Sequence, residues 1–282
     1  MGEENNAGGT AGAGQGNASQ ASAGQGQWKT AITKIQPNRI WVKGYRLDQL
    51  MGKVSFPETI YLILKGELPS PAEAKILDAT LTAAIDHGAT PISILAARNV
   101  ASGGASLSAA IAAGVMAIGP HHGGAIEGAM KTFEKAVAAM KDGLSAAEAA
   151  ARVLDEAAAK GVRLPGFGHR IHTDDPRTKK LLAMAGELGL SGRYVEAARA
   201  IETAINERSG KRLPLNVDGA TAALLGEMGF PAGMANAFFI MARVPGLAAH
   251  VFDAMTRERP VRKISPTEHE YDGPPEREIA GG

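Results

Sequence analysis

The stretch Pro165–Arg177 reads PGFGHRIHTDDPR and interrupts alanine-rich runs on both sides. Two histidines, two aspartates, two arginines and two glycines share it, and the pattern is too irregular for a helix. Gly166 and Gly168 allow the backbone to approach a ligand closely. His169 can give or take a proton near neutral pH. Arg170 and Arg177 carry planar forks that match carboxylates or phosphates. So many convergent polar groups in one loop point to a site. The same residues also read as a solvated surface loop that ends in a helix cap at Asp175-Pro176.

The frame around this loop is helical. Of the 282 residues, 45% are hydrophobic but only 5% aromatic, and alanine is abundant, which predicts closely packed helices in one large domain or a large one plus a small one. Lys and Arg number 30 against 29 Asp and Glu. That balance carries no basic excess for nucleic acid and no single-sign block. There is no cysteine, which excludes disulfides, thiolate metal sites and a cysteine nucleophile; a cytoplasmic location fits. No apolar run reads as long enough to span a membrane.

In chain order, residues 1–26 are mostly Gly, Ala, Ser, Gln and Asn, with no large apolar residue after Met1. They read as a disordered tail without the apolar core of a signal peptide. Order is expected from about Trp28, with a short hairpin around Pro37-Asn38. Ser55 and Glu58, then Ser70 and Glu73, are capping-box pairs with Pro in the first turn. The first of these helices ends at Gly66 and the second runs towards Asp86-His87-Gly88, where glycine stops it. Residues 92–118 read as two helices around Gly103-Gly104. A break at 119–124 (GPHHGG) precedes a helix over 125–141. Ser145 and Glu148 open another, to about Lys160. Helices follow at about 176–189, 192–208, 220–229 and 231–254, and the end is polar and rich in Pro and Gly. The fold class is mostly α.

The chemistry-bearing groups fall at the breaks: Asp86-His87, His121-His122, the 165–177 loop and Asp218. Arg243 interrupts an apolar run. Singly, each has a plain reading: a histidine at a helix end is structural, Arg243 is a buried ion-pair partner, and Asp218 is a helix N-cap. Together they form a set of acid, base and anion-binding groups beside glycines or helix ends. Metal binding is disfavoured, because adjacent histidines cannot easily face one site and His169 and His172 lack a third ligand. No serine nucleophile elbow and no phosphate-binding glycine fingerprint is present.

Four segments, in order, carry a resemblance. NRIWVKGYRLDQLMGKVSFPETIYLILKGELPS, GPHHGGAIEGAM, GFGHRIHTDDPR and LPLNVD are similar to the opening segment, the GPLHGGANE loop, the GFGHRVY…DPR loop and the NVD segment of the citrate synthase family. The resemblance covers nearly all of 28–262. It implies a large helical domain (27–160 and 220–265), a small domain (161–219) with the site between them, a C-terminal tail (266–282) and a homodimer. It implies that His122 meets the thioester oxygen of acetyl-CoA as the enolate forms, that His169 polarises the oxaloacetate carbonyl, and that Asp218 is the base. His87, Arg170, Arg177 and Arg243 would bind the oxo acid. Arg259, with Arg262 as the alternative, would reach in from the partner subunit.

The chain also departs from that pattern. HGATPIS stands where the family has a HELNAS-type stretch, and Asp-His-Gly there resembles the citryl-CoA lyase module at the end of ATP-citrate lyase. That module lacks a histidine at the place of His122. The implied activity is formation or cleavage of the C–C bond between an acyl-CoA and a 2-oxo acid through citryl-CoA. The alternatives are a citryl-CoA lyase without hydrolysis and a CoA-binding member without turnover. No permanently bound cofactor is implied; a coenzyme A thioester is substrate. Nucleic acid and membrane are not expected partners.

Overall fold

The computed structural model describes residues 29–168, 174–262 and 270–278. The expected tail at 1–26 lies outside them, as do His169 and Arg170.

The hairpin expected near the start is a three-stranded antiparallel sheet: β1 (Thr33–Gln36), β2 (Arg39–Val42) and β3 (Tyr45–Arg46), with Ile35 opposite Ile40. Asn38, in the tight β1–β2 turn, has a positive φ of 62°, a conformation that asparagine tolerates. A single turn, α1 (Leu47–Leu50), leads to α2 (Phe56–Lys65) and α3 (Pro71–Ala83). Both begin with the expected capping boxes, Ser55 with Glu58 and Ser70 with Glu73, and α2 ends at Gly66 in the left-handed region.

Helices α4 (Ile92–Ser102) and α5 (Leu107–Met116) flank Gly103-Gly104 as expected. They are followed by α6 (Ala125–Lys141), α7 (Ala146–Ala159), α8 (Pro176–Glu187), α9 (Arg193–Ser209), α10 (Val217–Glu227) and α11 (Ala235–Arg257). A 3-10 turn, Ala232–Met234, precedes α11.

Helix α10 is buried over every residue from Gly219 to Gly226. A helix apolar on all sides belongs at the centre, and α10 packs between α6 and α9. Phe133, Met130, Leu224 and Ile201 are fully enclosed there. A second apolar cluster joins α4, α5 and α11 through Ile94, Ala97, Ala110, Leu247 and Val251. A Cβ on Gly114 would meet Leu247 at 2.5 Å and Ala97 at 3.1 Å. The small residues of α4 and α5 therefore serve close packing inside the chain. The large side chains left exposed nearby are Ile92, Leu107 and Met116, with Phe252 and Met255 of α11.

Two expectations need correcting. Helix α3 stops at Ala83 rather than at Gly88; its last carbonyls have other partners, described below. And one run, Ala232–Arg257, is long and apolar enough to cross a membrane by length and composition. It is instead the long core helix α11: Phe238, Ala242, Leu247 and Val251 are buried against neighbouring helices.

Candidate active site

The first turn of α10 sets the site. The residue that caps it is Asn216, not Asp218. Asn216 Oδ1 accepts from the amides of Asp218 and Gly219, both at 3.1 Å. Asparagine and aspartate are equally good N-caps, so capping preference alone cannot choose between positions 216 and 218. Asn216 also donates through Nδ2 to the Gly168 carbonyl at 2.8 Å, and its amide donates to the Gly166 carbonyl at 3.0 Å. The opening loop is thereby stitched under α10. A Cβ on Gly219 would lie 2.4 Å from the Gly166 oxygen, and one on Gly166 2.9 Å from Ala129 Cβ. Gly166 thus lets two backbones cross.

With the cap assigned to Asn216, the Asp218 carboxylate is free for other work. No group among the described residues donates a hydrogen bond to it. Burial pushes its pKa above the usual carboxylate range. The fields of Arg177 and Arg243 pull it down and Asp175 pushes it up, and burial prevails.

Both arginines lean on the end of α3. Arg243 is only 3% exposed although it carries a charge. Its Nε donates to the Ala84 carbonyl at 3.0 Å, its guanidinium lies over the Phe239 ring at 4.7 Å, and its Nη1 is buried without a partner. Arg177 braces the buried N-cap Asp175 of α8 through Nε and Nη2, at 3.0 and 2.9 Å, and turns Nη1 to the Ala83 carbonyl at 3.5 Å. Orphan carbonyls at a helix C-terminus carry partial negative charge. These two cations supply the ending that the sequence pattern assigns to Gly88.

His122 comes from the turn between α5 and α6, closed by reciprocal bonds between Gly119 and His122 at 2.8 and 2.9 Å. Its ring meets Phe239 edge-on at 5.7 Å. A Cβ on Gly123 would sit 2.6 Å from the same Phe239 ring. Phe239 thus packs against both His122 and Arg243. Burial first, and then the charges of Arg243 and His87, hold the His122 pKa below its ordinary value. Its Nε2 is 2.7 Å from the hydroxyl of fully buried Ser93, near the start of α4. Ser93 and Phe239 were not singled out in the sequence. Nothing local marks them, because Ser93 lies 29 residues from His122; their apolar surroundings are the only signal.

His87 is exposed in the loop after α3, close enough for its charge to act on His122. His121 is also exposed, so the two adjacent histidines face different ways, as expected. Arg259 is not brought to this cluster. It is exposed just beyond the far end of α11, and 14 residues from Arg243 to Arg257 span about 20 Å at 1.5 Å per residue. Among the described residues no group of three or more His, Asp or Glu could hold a metal.

The cluster unites a carboxyl whose pKa is raised by burial, an imidazole whose burial favours the neutral ring, and two guanidinium groups, one with an unused buried donor. Such a set can bind a carboxylate and move a proton on a carbon beside a carbonyl.

Comparison with known proteins agrees. Residues 69–264 match the family model of the citrate synthase C-terminal domain. A citryl-CoA lyase from Hydrogenobacter thermophilus is 43% identical, with 90% of this chain and 97% of that one covered and a TM-score of 0.82. A putative citrate synthase 2 of Mycobacterium tuberculosis is 33% identical over 191 residues, 66% of this chain and 48% of that protein. A Thermoplasma acidophilum citrate synthase, solved as a ternary complex with carboxymethyl coenzyme A and oxaloacetate, is 26% identical with a TM-score of 0.65, covering 81% of this chain and 59% of that one. The chain spans about half the length of the first curated relatives it matches. With the motifs, the fold and the site in agreement, the chain belongs to the citrate synthase family.

Proposed function

We propose that this chain makes and breaks the C–C bond of citryl-CoA, and that cleavage to acetyl-CoA and oxaloacetate, without hydrolysis, is its main direction. The observation that carries the reaction class is the Asp218 carboxyl, left over because Asn216 caps α10 and lying within the fields of both Arg177 and Arg243. The preference for cleavage is supported by similarity across 97% of the Hydrogenobacter citryl-CoA lyase.

In cleavage, the hydroxyl proton of citryl-CoA leaves to a base, the C–C pair flows into the acetyl-CoA enolate, and the oxo acid is released. The enolate carbon must then receive a proton. A carboxyl held above its usual pKa keeps that proton better, which suits Asp218 as donor in cleavage and base in condensation. The enolate oxygen needs a fixed donor. When Ser93 donates its hydroxyl hydrogen to His122 Nε2, the ring proton resides on Nδ1, and His122 presents a neutral N–H to the thioester oxygen. The unused Nη1 of Arg243 is suited to an oxo-acid carboxylate. His87, His169, Arg170 and Arg177 complete the oxo-acid side.

The proposal includes a large body (27–160 and 220–265) and a smaller one (161–219) closing on the substrate. It includes a homodimer formed through the exposed apolar face of α4, α5 and α11, with Arg259 completing the partner's site. The distance of Arg259 from Arg243 along α11 supports that trans role. No resident metal or cofactor is needed.

The test incubates pure protein with citryl-CoA, and separately with acetyl-CoA and oxaloacetate, while following free CoA, citrate and both cleavage products. Acetyl-CoA plus oxaloacetate from citryl-CoA supports the lyase. Citrate plus free CoA from either incubation supports hydrolysing synthase chemistry, the second reading, which the retention of His122 favours. Silence in both rejects the proposal.

A further inference from the structure

Outside the site, a buried charge on α4 joins two places that the proposed reaction uses. Arg98 lies midway along α4 with its side chain 11% exposed. Its Nη2 donates to Glu258 Oε1, and its Nη1 lies 3.9 Å from Asp253 and donates to His250 Nδ1 at 3.5 Å. An arginine can only donate. His250 therefore carries its proton on Nε2, which faces Asp86 Oδ1 at 3.1 Å. The chain of contacts runs Glu258–Arg98–His250–Asp86. Glu258 immediately precedes Arg259, and Asp86 immediately precedes His87.

The same helix holds the segment a second time. The amide of Val261 donates to the Ser102 carbonyl at 2.8 Å, and the Arg262 amide reaches Ser102 Oγ at 3.4 Å. Val261 has a φ of 59°, which a β-branched residue rarely adopts. The turn after α11 is thus held away from a relaxed path, and α4 holds both of its ends. Burying the Arg98 guanidinium has a desolvation cost, and a stem on an apolar helix face could have been leucine. A planar fork that serves Glu258 on one side and His250 on the other fixes a direction, which an apolar residue cannot do.

We propose that Arg98 is a positioning residue that fixes the Glu258–Arg262 turn so that Arg259 is presented to the active site of the partner subunit. This rests on the reading of Arg259 as donated in trans. The role predicts an effect on substrate binding in the neighbouring site rather than in the site of the same chain.

The experiment uses mixed dimers of the full chain, isolated with two affinity tags. Arg98→Met should raise KM for citryl-CoA more than it lowers kcat, with kcat/KM down about 10²-fold, the scale of a misplaced binding group. In a mixed dimer with Asp218→Asn, the Arg98→Met protomer keeps its own Asp218 and receives Arg259 from a neighbour whose Arg98 is intact. That dimer should regain the wild-type KM at about half of wild-type kcat, one working site of two, and recovery is read from the KM. Arg259→Leu paired with Asp218→Asn is the control. If the control recovers and the Arg98 pair does not, Arg98 acts within its own site and the positioning role is wrong. If neither recovers, Arg259 is not donated in trans, and both readings fall. Should Arg98→Met not yield a folded dimer, Glu258→Gln carries the same mixed-dimer test. The Arg98→Glu/Glu258→Arg exchange should restore part of the KM, and a KM no better than that of the single variants would overturn the pairing.

Discussion

Helices α7 and α10 both place an acid in their first turn, and the two acids behave in opposite ways. Glu148 of α7 closes a capping box: Ser145 Oγ accepts the Glu148 amide at 3.3 Å, while Glu148 Oε2 accepts the Ser145 amide at 2.8 Å. The Ser145 hydroxyl, which donates to Glu148 Oε2 at 2.7 Å, and then the Ser145 amide hold the Glu148 pKa below its usual value. Asp218 of α10 occupies an equally favourable end of the helix dipole, yet its pKa is raised by burial. The difference lies in who caps. At α7 the acid is used up by the backbone. At α10 Asn216 satisfies the amides of Asp218 and Gly219, and the acid is left over. A carboxylate that a helix end could have consumed, but does not, is available for chemistry.

The sharpest way to break this comparison is to remove the leftover acid. Asp218→Asn should lower kcat by about 10²–10⁴-fold, the range for a positioned acid or base, with oxo-acid affinity little changed. Deuterium exchange from solvent into the methyl group of acetyl-CoA, with an unreactive oxo-acid analogue bound, should nearly vanish. Exchange at the wild-type rate would falsify the role of Asp218. The pH profile adds a sign. Because its pKa is raised, base-dependent exchange should decline with acidification at a pH above the ordinary carboxylate range.

Arg243→Leu comes next in size. A substrate carboxylate left unpaired in a closed site costs roughly 2 kcal/mol or more, a rise of about 30-fold in KM. The substitution also removes a cation that lowers the Asp218 pKa, so the acidic limb of the profile should move to still higher pH. A KM effect without that movement would separate the arginine from the acid.

How much of this was legible follows the same divide between local and distant causes. The capping boxes at Ser55, Ser70 and Ser145, the turn at Gly66 and the Gly103-Gly104 break are decided within four residues of sequence, and the structure has each of them where the sequence places it. The four family motifs contain Asp218 and His122, to which the proposed reaction gives its acid and its enolate donor. What the sequence could not show is who touches whom across the fold. Arg177 and Arg243 end α3 from 94 and 159 residues away, so Gly88 looked like the stop. Ser93 behind His122 and Arg98 between Glu258 and His250 sit in ordinary helical pattern, and only tertiary packing gives them partners. The membrane-length run of α11 is a composition shared by any long core helix; its burial is a property of the neighbours.

Ser93→Ala should have a smaller effect, about 3- to 10-fold in kcat/KM for the loss of one hydrogen bond. It should act by freeing the His122 ring, so Ser93→Thr, which keeps the hydroxyl, should recover part of the loss. Equal losses in both variants would mean that Ser93 serves packing alone.

The smallest effect is expected where the acid is consumed. Ser145→Ala removes a cap, worth about 1 kcal/mol, and should lower Tm by roughly 2–4 °C with kcat and KM unchanged. Its dependence on pH distinguishes the two helix ends. The folded-state pKa of Glu148 is depressed, chiefly by Ser145, so the stability it supplies is present above the unfolded value of 4.5 and is lost as pH falls through the folded value. The Tm gap between wild type and Ser145→Ala should therefore shrink on acidification. Asp218 has the opposite sign. Its folded-state pKa is raised, so charged Asp218 opposes folding once pH exceeds that folded value, and the opposition disappears below the unfolded value of 3.8. Asp218→Asn should then raise Tm at neutral pH and lose this advantage in acid. Melting curves of both variants from neutral to acidic pH decide the matter. Gaps of the same sign at neutral pH would mean that Asp218 is a second structural cap, and that α10 ends no differently from α7.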